Sequence, residues 1–296
     1  MGHDALFLID SLKSYTTILL HYKKLHYILD YVAQMNRETQ EYKPEVPQGL
    51  ERVGITNLRT LVKTGFGGQI YKFVPTFDVF IDLPKDKKGI HMSRLVESLS
   101  EAVNDEAAYK HETFENLERS IIEELARKHP FARAEVSLRT ALVVEKKSLV
   151  SKKHTAETHD IAVKVILKGG KYRKVLLVSV VGNTACPHSK ENTGQPHIQR
   201  AIAELELECD FERGIDLQSM IECVESAFSC PVYTLVKTED ENEIVKRIYD
   251  NPKFVEDVTR GILASAKKKF KGCKIRAKTV SQESIHRHDV VAEGSA

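Results

Sequence analysis

The sequence has no long apolar run and almost no net charge. None of its 296 residues belongs to a run of ~20 uninterrupted apolar side chains, so we expect no membrane-spanning helix. Lysine and arginine number 44 against 42 aspartates and glutamates, which leaves a formal net charge of +2. This balance argues against a protein that binds nucleic acid through bulk charge. The length allows one large domain or two ordinary ones.

The cysteines form no paired motif. There are five of them, an odd number, and none belongs to a Cys-x-x-Cys pair. A secreted disulfide framework is therefore not expected, and a reduced cytoplasmic setting fits better. The apolar stretch 5–9 is broken at once by Asp10 and Lys13, which makes a poor signal peptide. We treat residues 1–42 as an N-terminal extension of unknown role.

Strand-like and helix-like patterns follow one another in an order that occurs twice. Alternating apolar residues predict strands, and apolar residues at helical spacing predict helices. The predicted strands are 77–83, 135–144, 161–167, 175–181, 203–209, 273–280 and the His286 region. The predicted helices are 95–103, 117–125, 217–224, 241–249 and 254–270. Paired strands with helices grouped between them predict an α+β layer, an antiparallel sheet with helices on one face.

The repetition predicts two modules of similar architecture. Gly169-Gly170 is a turn signal between two strand patterns. We place the boundary there, with a first module over residues 43–170 and a second over 171–296. The two halves are not visibly similar in residues, so the repeat is one of architecture.

The first candidate for chemistry follows a buried strand. Cys186 leaves the strand pattern 175–181, and His188 and His197 lie 2 and 11 residues further on. Polar segments at strand ends often carry functional residues. Thiolate and imidazole together suit Zn²⁺ or Fe²⁺. The alternative is a buried free cysteine with two surface histidines, since free cysteine is among the most buried residue types.

Three further candidates lie towards the C-terminus. Glu241 ends the acidic run Glu239-Asp240-Glu241, and Glu256 lies in the first turn of a predicted helix. Acids at a helix start are usually favourable charges near the helix dipole. His286 belongs to a histidine cluster that would suit a metal ligand, a solvated tail or a tag remnant, and the Gly-Ser-Ala end beyond it looks dispensable.

Eight segments together resemble the type IB GTP cyclohydrolases. They occur in order and at compatible spacing from about residue 43 to about residue 292, and the strings Gly-Ile-His-Met-Ser-Arg and Phe-Val-Glu-Asp are the most specific of them. The segments are 43–47, 52–56, 75–80, 89–94, 186–187, 197–200, 252–257 and 283–286.

The resemblance implies a bimodular tunnelling fold and an enzyme. Each module would be a four-stranded antiparallel sheet with two helices on one face, and the chain would form a homotetramer with active sites at subunit interfaces. GTP would be the substrate, opened hydrolytically with release of formate to give a 7,8-dihydroneopterin triphosphate or 2′,3′-cyclic phosphate for folate or methanopterin biosynthesis. We expect no nucleic-acid or membrane partner.

The resemblance also assigns residues. One divalent metal per subunit (Fe²⁺, Mn²⁺ or Zn²⁺) would be bound by Cys186, His197, Glu241 and His286, with Cys186 and His197 catalytic. Glu256 would anchor the guanine ring. His91, Arg94 and Lys237 are candidates for the phosphate tail, with plain surface ion pairs as the alternative.

The sequence departs from the family pattern at a few positions. His188 replaces a frequent second cysteine, Ile198 replaces an asparagine, and Lys237-Thr238 replaces a lysine-arginine pair. The four predicted ligands are intact. The competing hypotheses are a non-catalytic purine or pterin binder and another pterin enzyme of the same fold.

Overall fold

A computed structural model describes residues 38–66, 69–104 and 113–296. The chain divides into two compact units, one of residues 1–49 with 84–90 and one of residues 50–83 with 91–296. In the first unit, a 3₁₀ turn spans Thr39–Glu41, and the N–H groups of Lys88 and Gly89 donate to the Gln40 carbonyl at 3.0 and 3.2 Å. Only residues 38–42 of the predicted extension are described. Its role stays a prediction.

The second unit is built on one large antiparallel sheet. The described strands are β1 Leu50–Arg59, β2 Val62–Phe66, β3 Gln69–Phe73, β4 Thr76–Leu83, β5 Arg133–Lys147, β6 His154–Lys168, β7 Lys171–Ala185, β8 Ile198–Asp210, β9 Cys230–Pro231, β10 Lys274–Ser281 and β11 Val290–Ser295. In spatial order the strands of the large sheet are β1, β4, β5, β6, β7, β8, β10 and β11, and β9 pairs with β7. A separate hairpin contains β2 and β3.

Six helices are described, and five of them correspond to the five predicted helical segments, two before residue 170 and three after it. They are α1 Met92–Asn104, α2 Phe114–Lys128, α3 Pro187–Thr193, α4 Leu217–Glu225, α5 Thr238–Asp250 and α6 Val255–Lys269. Side-chain oxygens cap the N-termini of α2 and α4: Thr113 accepts from the N–H of Asn116 at 3.2 Å, and Asp216 accepts from the N–H of Ser219 at 2.9 Å.

The core of the second half lies between one face of the sheet and helices α4 and α6. In β8 every second residue from Ala201 to Cys209 is fully buried, while Glu204, Glu206 and Glu208 lie on the other face. This is the outcome that period-2 alternation predicts for a strand with one covered face. No helix in the described part of the chain is both long and apolar enough to cross a membrane.

The turn between β6 and β7 follows the predicted glycine signal. Gly169 and Gly170 have φ angles of 56° and 73°, and Lys168 pairs with Lys171. Both positive φ angles suit a two-residue hairpin turn, because glycine has no Cβ to oppose them. The sheet therefore continues across residue 170, and the division into modules 43–170 and 171–296 stays a prediction.

Two predictions about the C-terminal region are wrong. His286 lies in a loop between β10 and β11, and the strand begins only at Val290. The Gly294-Ser295-Ala296 end is part of the sheet, since Ala296 and Ile275 exchange two backbone hydrogen bonds of 3.0 and 3.3 Å. The histidine-rich segment hid this because its polar residues gave no alternation, and the strand beyond it is short.

Glu118 is a buried carboxyl group on the helix-covered side of the sheet. Its side chain on α2 has no exposed surface. Burial, followed by the negative charge of Glu115, raises its pKa well above the usual value. Glu115 itself forms a buried ion pair with Lys174 at 2.9 Å. The folded protein therefore holds a proton on Glu118 that the unfolded chain releases at an ordinary carboxyl pKa.

We predict that Glu118→Gln removes a pH-dependent loss of stability. In the wild type, stability falls as the pH rises above the unfolded pKa, by about 1.4 kcal/mol per pH unit, until the folded pKa is passed. Thermal unfolding from pH 5 to pH 9 measures this. The melting temperature of the variant should rise relative to that of the wild type as the pH rises. Glu123→Gln, on the exposed side of the same helix, should show no such relative rise. Parallel curves for Glu118→Gln and wild type would contradict the raised pKa.

Candidate active site

The candidate residues of the second half gather where three strands meet. β7 ends at Ala185, opposite Ile198 at the start of β8, and β10 ends at Ser281, opposite Ala201 of β8. Because neighbouring strands are antiparallel, the end of β7, the start of β8 and the end of β10 lie at the same end of the sheet. This row of strand ends is the active-site edge, which differs from the lateral edges formed by the outermost strands β1 and β11. This edge therefore brings the Cys186 segment, His197 and the chain leading to His286 together.

Cys186 is fixed by the helix that it begins. It is the N-cap of α3, and its Sγ accepts from the N–H of Ser189 at 3.3 Å. Pro187 occupies the first turn, where its missing N–H costs nothing, and Gly194 ends the helix with a φ of 75°. The bond from the Ser189 N–H fixes the position of the sulfur, and cysteine sulfur is an ordinary ligand for Zn²⁺ or Fe²⁺. The partly buried Cys186 is therefore held in place with its sulfur at the sheet edge.

His197 is held next to Cys186 by the backbone. The N–H of Cys186 donates to the carbonyl of His197 at 3.1 Å. The imidazole Nδ1 lies 3.0 Å from Oε1 of Gln199 and 3.4 Å from the Ser284 hydroxyl. Ser284 is two residues before His286, so the loop after β10 contacts the His197 ring.

A partly buried hydrogen-bond chain directs Nδ1 of His197. Nε2 of Gln199 donates to Oε1 of Glu283 at 3.3 Å, and the Ser281 hydroxyl donates to the same oxygen at 2.9 Å. The Ser281 hydroxyl also pairs with the Thr184 hydroxyl at 3.0 Å. Since a carboxylate only accepts, the Gln199 amide must present its oxygen to His197, and Nδ1 must donate. In the neutral imidazole, the lone pair is then on Nε2 of His197, and this tautomer can bind a metal or accept a proton through Nε2.

Glu241 lies in the first turn of α5, whose start is anchored by its neighbour Asp240. The buried carboxylate of Asp240 accepts from the N–H of Lys237 at 3.0 Å and from the N–H groups of Val150 and Ser151 at 2.7 and 3.0 Å. Burial opposes this charge, but the hydrogen bonds from Ser151, Val150 and Lys237 outweigh it and hold the pKa of Asp240 well below its usual value. The helix-start role proposed for the acidic run thus belongs to Asp240, and Glu241 is exposed.

The β5–β6 hairpin is longer than predicted, and its outer end positions this region. Glu157 of β6 accepts from the N–H and hydroxyl of Thr234 at 2.9 and 2.8 Å. The hairpin tip holds Asp240. The segment that carries Lys237 into α5 is therefore fixed by the hairpin on two sides. Sequence alternation missed the outer part of β6 and the last residues of β5, because the side chains there are mostly polar.

Glu256 is exposed in the first turn of α6, and the chain before it is tied to the same sheet edge. The N–H of Ala185 donates to the carbonyl of Lys253 at 3.3 Å, one residue before Cys186. Nζ of Lys253 donates to the carbonyl of Ala227 at 2.8 Å. Burial lowers the pKa of Lys253. These contacts place the start of α6 next to the Cys186 segment.

The remaining candidates lie in the first half of the chain or on the surface. His91 is buried with its ring centroid 6.1 Å from that of His129, and Nη1 of Arg94 donates to the Lys128 carbonyl at 3.5 Å. Lys237 is exposed at the start of α5. The ring of His286 stacks on that of His288 with centroids 5.1 Å apart.

The four predicted ligands do not close around a common point within one chain. No three of their ligand atoms lie within 4.8 Å of one another, and all four residues belong to the described part of the chain. The contacts join Cys186 to His197 and His197 to the loop of His286. The donor set still fits a divalent metal, since sulfur, an imidazole nitrogen with a fixed lone pair and a carboxylate are ordinary ligands for Zn²⁺ or Fe²⁺.

Gln199 and Glu283 are candidate site residues that the sequence patterns did not indicate. A signal for Gln199 existed, because residues two apart on a strand share a face and Gln199 follows His197 by two. Asp240 had a signal as well, since an acid three residues after a helix cap is the position of a capping box. Glu283 had none, because the loop after β10 has no periodic pattern.

The antiparallel sheet with helices on one face and the cysteine–histidine edge define an α+β protein with an enzyme-like polar site. Its architecture is that of the tunnelling fold: the uricase of Arthrobacter globiformis superposes with a TM-score of 0.52 over 85% of this chain and 95% of that one, at 9% identity. A hyper-thermostable mutant of this uricase gives 0.53 at 8% identity, over 84% and 92% of the two chains. At such identity these likenesses concern the fold alone.

The chain belongs to the Type I GTP cyclohydrolase folE2 family, whose model matches residues 37–292. It is 54% identical to GTP cyclohydrolase MptA of Pyrococcus abyssi over 264 residues, which are 88% of this chain and 99% of that relative. It is 53% identical to the protein of the same name from Pyrococcus furiosus, over 88% and 99% of the two chains. For that of Methanosphaera stadtmanae, the identity is 32% over 86% and 93%. The predictions of fold class, family and GTP cyclohydrolase activity are confirmed, and the alternative of a non-catalytic binder is not supported.

We predict that Gln199→Ala weakens metal binding about 10–100-fold, the usual cost of losing an outer partner of a histidine ligand. The variant frees Nδ1, so the proton is no longer confined to that nitrogen. Metal titration of the purified protein by calorimetry measures the change. Gln218→Ala, on the exposed face of α4, is the control and should bind as the wild type does. Unchanged affinity in Gln199→Ala would show that His197 is not a ligand.

Proposed function

We propose that this GTP cyclohydrolase opens the guanine imidazole ring of GTP with Cys186, His197, Glu241 and His286 around one divalent metal, and that it serves methanopterin biosynthesis. The single observation that carries the site is the hydrogen-bond chain that directs Nδ1 of His197 towards Gln199, with Nε2 as the remaining ring nitrogen beside Cys186. The methanopterin branch is supported by relatives named GTP cyclohydrolase MptA at 53–54% identity over nearly their whole length.

The residues would divide the work as follows. Cys186, His197 and Glu241 would hold the metal, whose Lewis acidity makes water a nucleophile at neutral pH. Two hydrolyses at C8 of guanine would open the ring and release formate. His286, in the exposed loop that contacts His197 through Ser284, would be a fourth ligand or a proton carrier. When His197 is not a ligand, its Nε2 lone pair can take a proton from the attacking water.

Glu256 would select the base. A carboxylate can accept two parallel N–H donors from the guanine edge, and such charged hydrogen bonds are stronger than neutral ones. The backbone bond from Ala185 to Lys253 supports this role, because it ties the start of α6 to the residue before Cys186. His91, Arg94 and Lys237 would bind the phosphate tail, and each offers a positive or hydrogen-bonding group.

We further propose that the complete site forms between subunits of a homotetramer. Within one chain the four ligands do not converge, and Glu241, Glu256 and His286 are all exposed. Among the described strands, β1 and β11 are the two edges of the large sheet, each with one unpaired row of backbone groups. Such edges are templates for pairing with another chain. A neighbouring subunit could therefore extend the sheet and supply the missing side of the site.

We predict that purified protein converts GTP anaerobically, with Fe²⁺, Mn²⁺ or Zn²⁺, to formate and an oxidisable fluorescent pterin. Mass spectrometry should show a 7,8-dihydroneopterin 2′,3′-cyclic phosphate rather than the triphosphate. Cys186→Ala should abolish turnover, whereas Cys273→Ala, a partly buried cysteine at the other end of the sheet, should keep it. A triphosphate product would exclude the methanopterin assignment. If no pterin forms with any of the three metals, the proposed conversion of GTP is refuted.

We predict that Glu256→Gln lowers kcat/KM for GTP about 100-fold, mainly through KM. Losing one charged hydrogen-bond pair in a binding site costs about 2–3 kcal/mol. Steady-state kinetics with the loaded enzyme measure the effect. Asp257→Asn, the next residue and paired to Arg260 at 3.0 Å, is the matched control. If both variants behave alike, Glu256 is only a favourable charge at the helix start.

A further inference from the structure

Two cysteines face each other at the end of the sheet opposite the candidate active site. Cys209 is the penultimate residue of β8, and Cys273 comes directly before β10. The register of these antiparallel strands pairs Glu208 with Lys274, so the next pair outward is Cys209 with Cys273. Directly opposed residues share one face of a sheet, and both side chains therefore point to the same side.

The surroundings of the pair hold it in place. Cys209 is fully buried, and Cys273 is partly buried against the core of the second half. A tight turn after α6 delivers Cys273 to the sheet: its N–H donates to the Phe270 carbonyl at 3.3 Å, and Gly272 has a φ of 78°. This left-handed conformation suits glycine, which has no Cβ penalty there.

The spacing of the pair suits a covalent bond. Opposed residues in antiparallel strands have Cα atoms about 4.5–5.5 Å apart, inside the range of about 4.4–6.8 Å found for disulfides. The thiols already act on one another. Burial, followed by the neighbouring thiol of Cys273, raises the pKa of Cys209 to about 11.

We propose that Cys209 and Cys273 are an oxidation site, at which a small-molecule disulfide converts the two thiols into a cross-strand disulfide. All five cysteines are free thiols in the structure. The other three are separated from this pair: Cys186 lies at the opposite sheet edge, Cys223 on α4 and Cys230 in β9. The register therefore favours one pairing over all others.

The reaction balances as two thiol–disulfide exchanges. The more exposed Cys273 thiolate attacks the small disulfide, forms a mixed disulfide and releases one small thiolate. Cys209 then loses its proton to water and attacks Sγ of Cys273, which expels the second small thiolate. The two cysteines are oxidised, the small disulfide is reduced to two thiols, and one S–S bond joins β8 to β10.

The bond would stabilise the fold and leave the active site alone. It closes a loop of about 65 residues that contains α4, α5 and α6, and constraining a loop of this length in the unfolded chain stabilises the folded one. The active-site edge lies at the other ends of β8 and β10, where His197 and Ser284 meet.

The test compares reduced protein with protein incubated with oxidised glutathione. After alkylation of free thiols and proteolysis, mass spectrometry should find the Cys209 and Cys273 peptides joined, with Cys186, Cys223 and Cys230 alkylated. The melting temperature should rise by about 5 °C. The rate of closure should increase up to about tenfold per pH unit between pH 7 and 10, because the Cys209 thiolate is scarce there.

Cys273→Ser is the decisive variant, since its partly exposed side chain can be changed without opening the core. It should show no cross-link and no shift in melting temperature, while its GTP turnover stays that of the wild type. Cys186→Ser should still cross-link. Three results would overturn the proposal: glutathione that remains on Cys273 without closure, a cross-link to another cysteine, or a temperature shift that persists in Cys273→Ser.

Discussion

The candidate active site depends on one partly buried hydrogen-bond chain that crosses three strand ends. It runs from the Thr184 hydroxyl through Ser281, Glu283 and Gln199 to the His197 ring. One member, the carboxylate, cannot donate, and this fixes the direction of its bond to Gln199 and hence of the amide's bond to His197. The sheet brings β7, β8 and β10 together. The hydrogen bonds between their side chains then direct Nδ1 of the imidazole towards Gln199. If the register slipped by one residue, these side chains would point to the opposite face.

The sequence predicts the secondary structure correctly wherever a strand or helix is buried on one face and exposed on the other. Alternation in β8 and helical spacing in α2 predicted elements that the structure confirms, because burial on one side is what these periods record. It failed in the outer part of β6, where polar residues form regular structure, and in β11, which is short and follows a segment without alternation. There the strands are fixed by pairing with a neighbour, and a single strand carries no trace of its partner.

The candidate site was predicted only in part for a similar reason. Cys186 and His197 have modest local signals, and the family resemblance raised them together with Glu241 and His286. The hydrogen bonds that prepare His197 come from Glu283 and Gln199, 84 residues apart in the chain. Such contacts depend on three strands meeting at one edge, which no local spacing shows. Asp240 shows the converse: the acidic run suggested a helix-start charge, and only burial identifies which of its three members has that role.

Strands β8 and β10 are long enough to keep two kinds of cysteine chemistry apart, with Cys186 near one end and Cys209 and Cys273 at the other. At one edge, Cys186 is a helix cap beside the His197 imidazole, and the two side chains offer sulfur and nitrogen as metal ligands. At the other edge, burial keeps Cys209 protonated opposite a second thiol, which makes it a slow partner in disulfide exchange rather than a ligand. Oxidation at one end could therefore strengthen the sheet without consuming the thiol at the other. The length of β8 makes this possible, because it places Cys209 and the His197 segment at opposite ends of the strand, although β10 pairs with β8 along both.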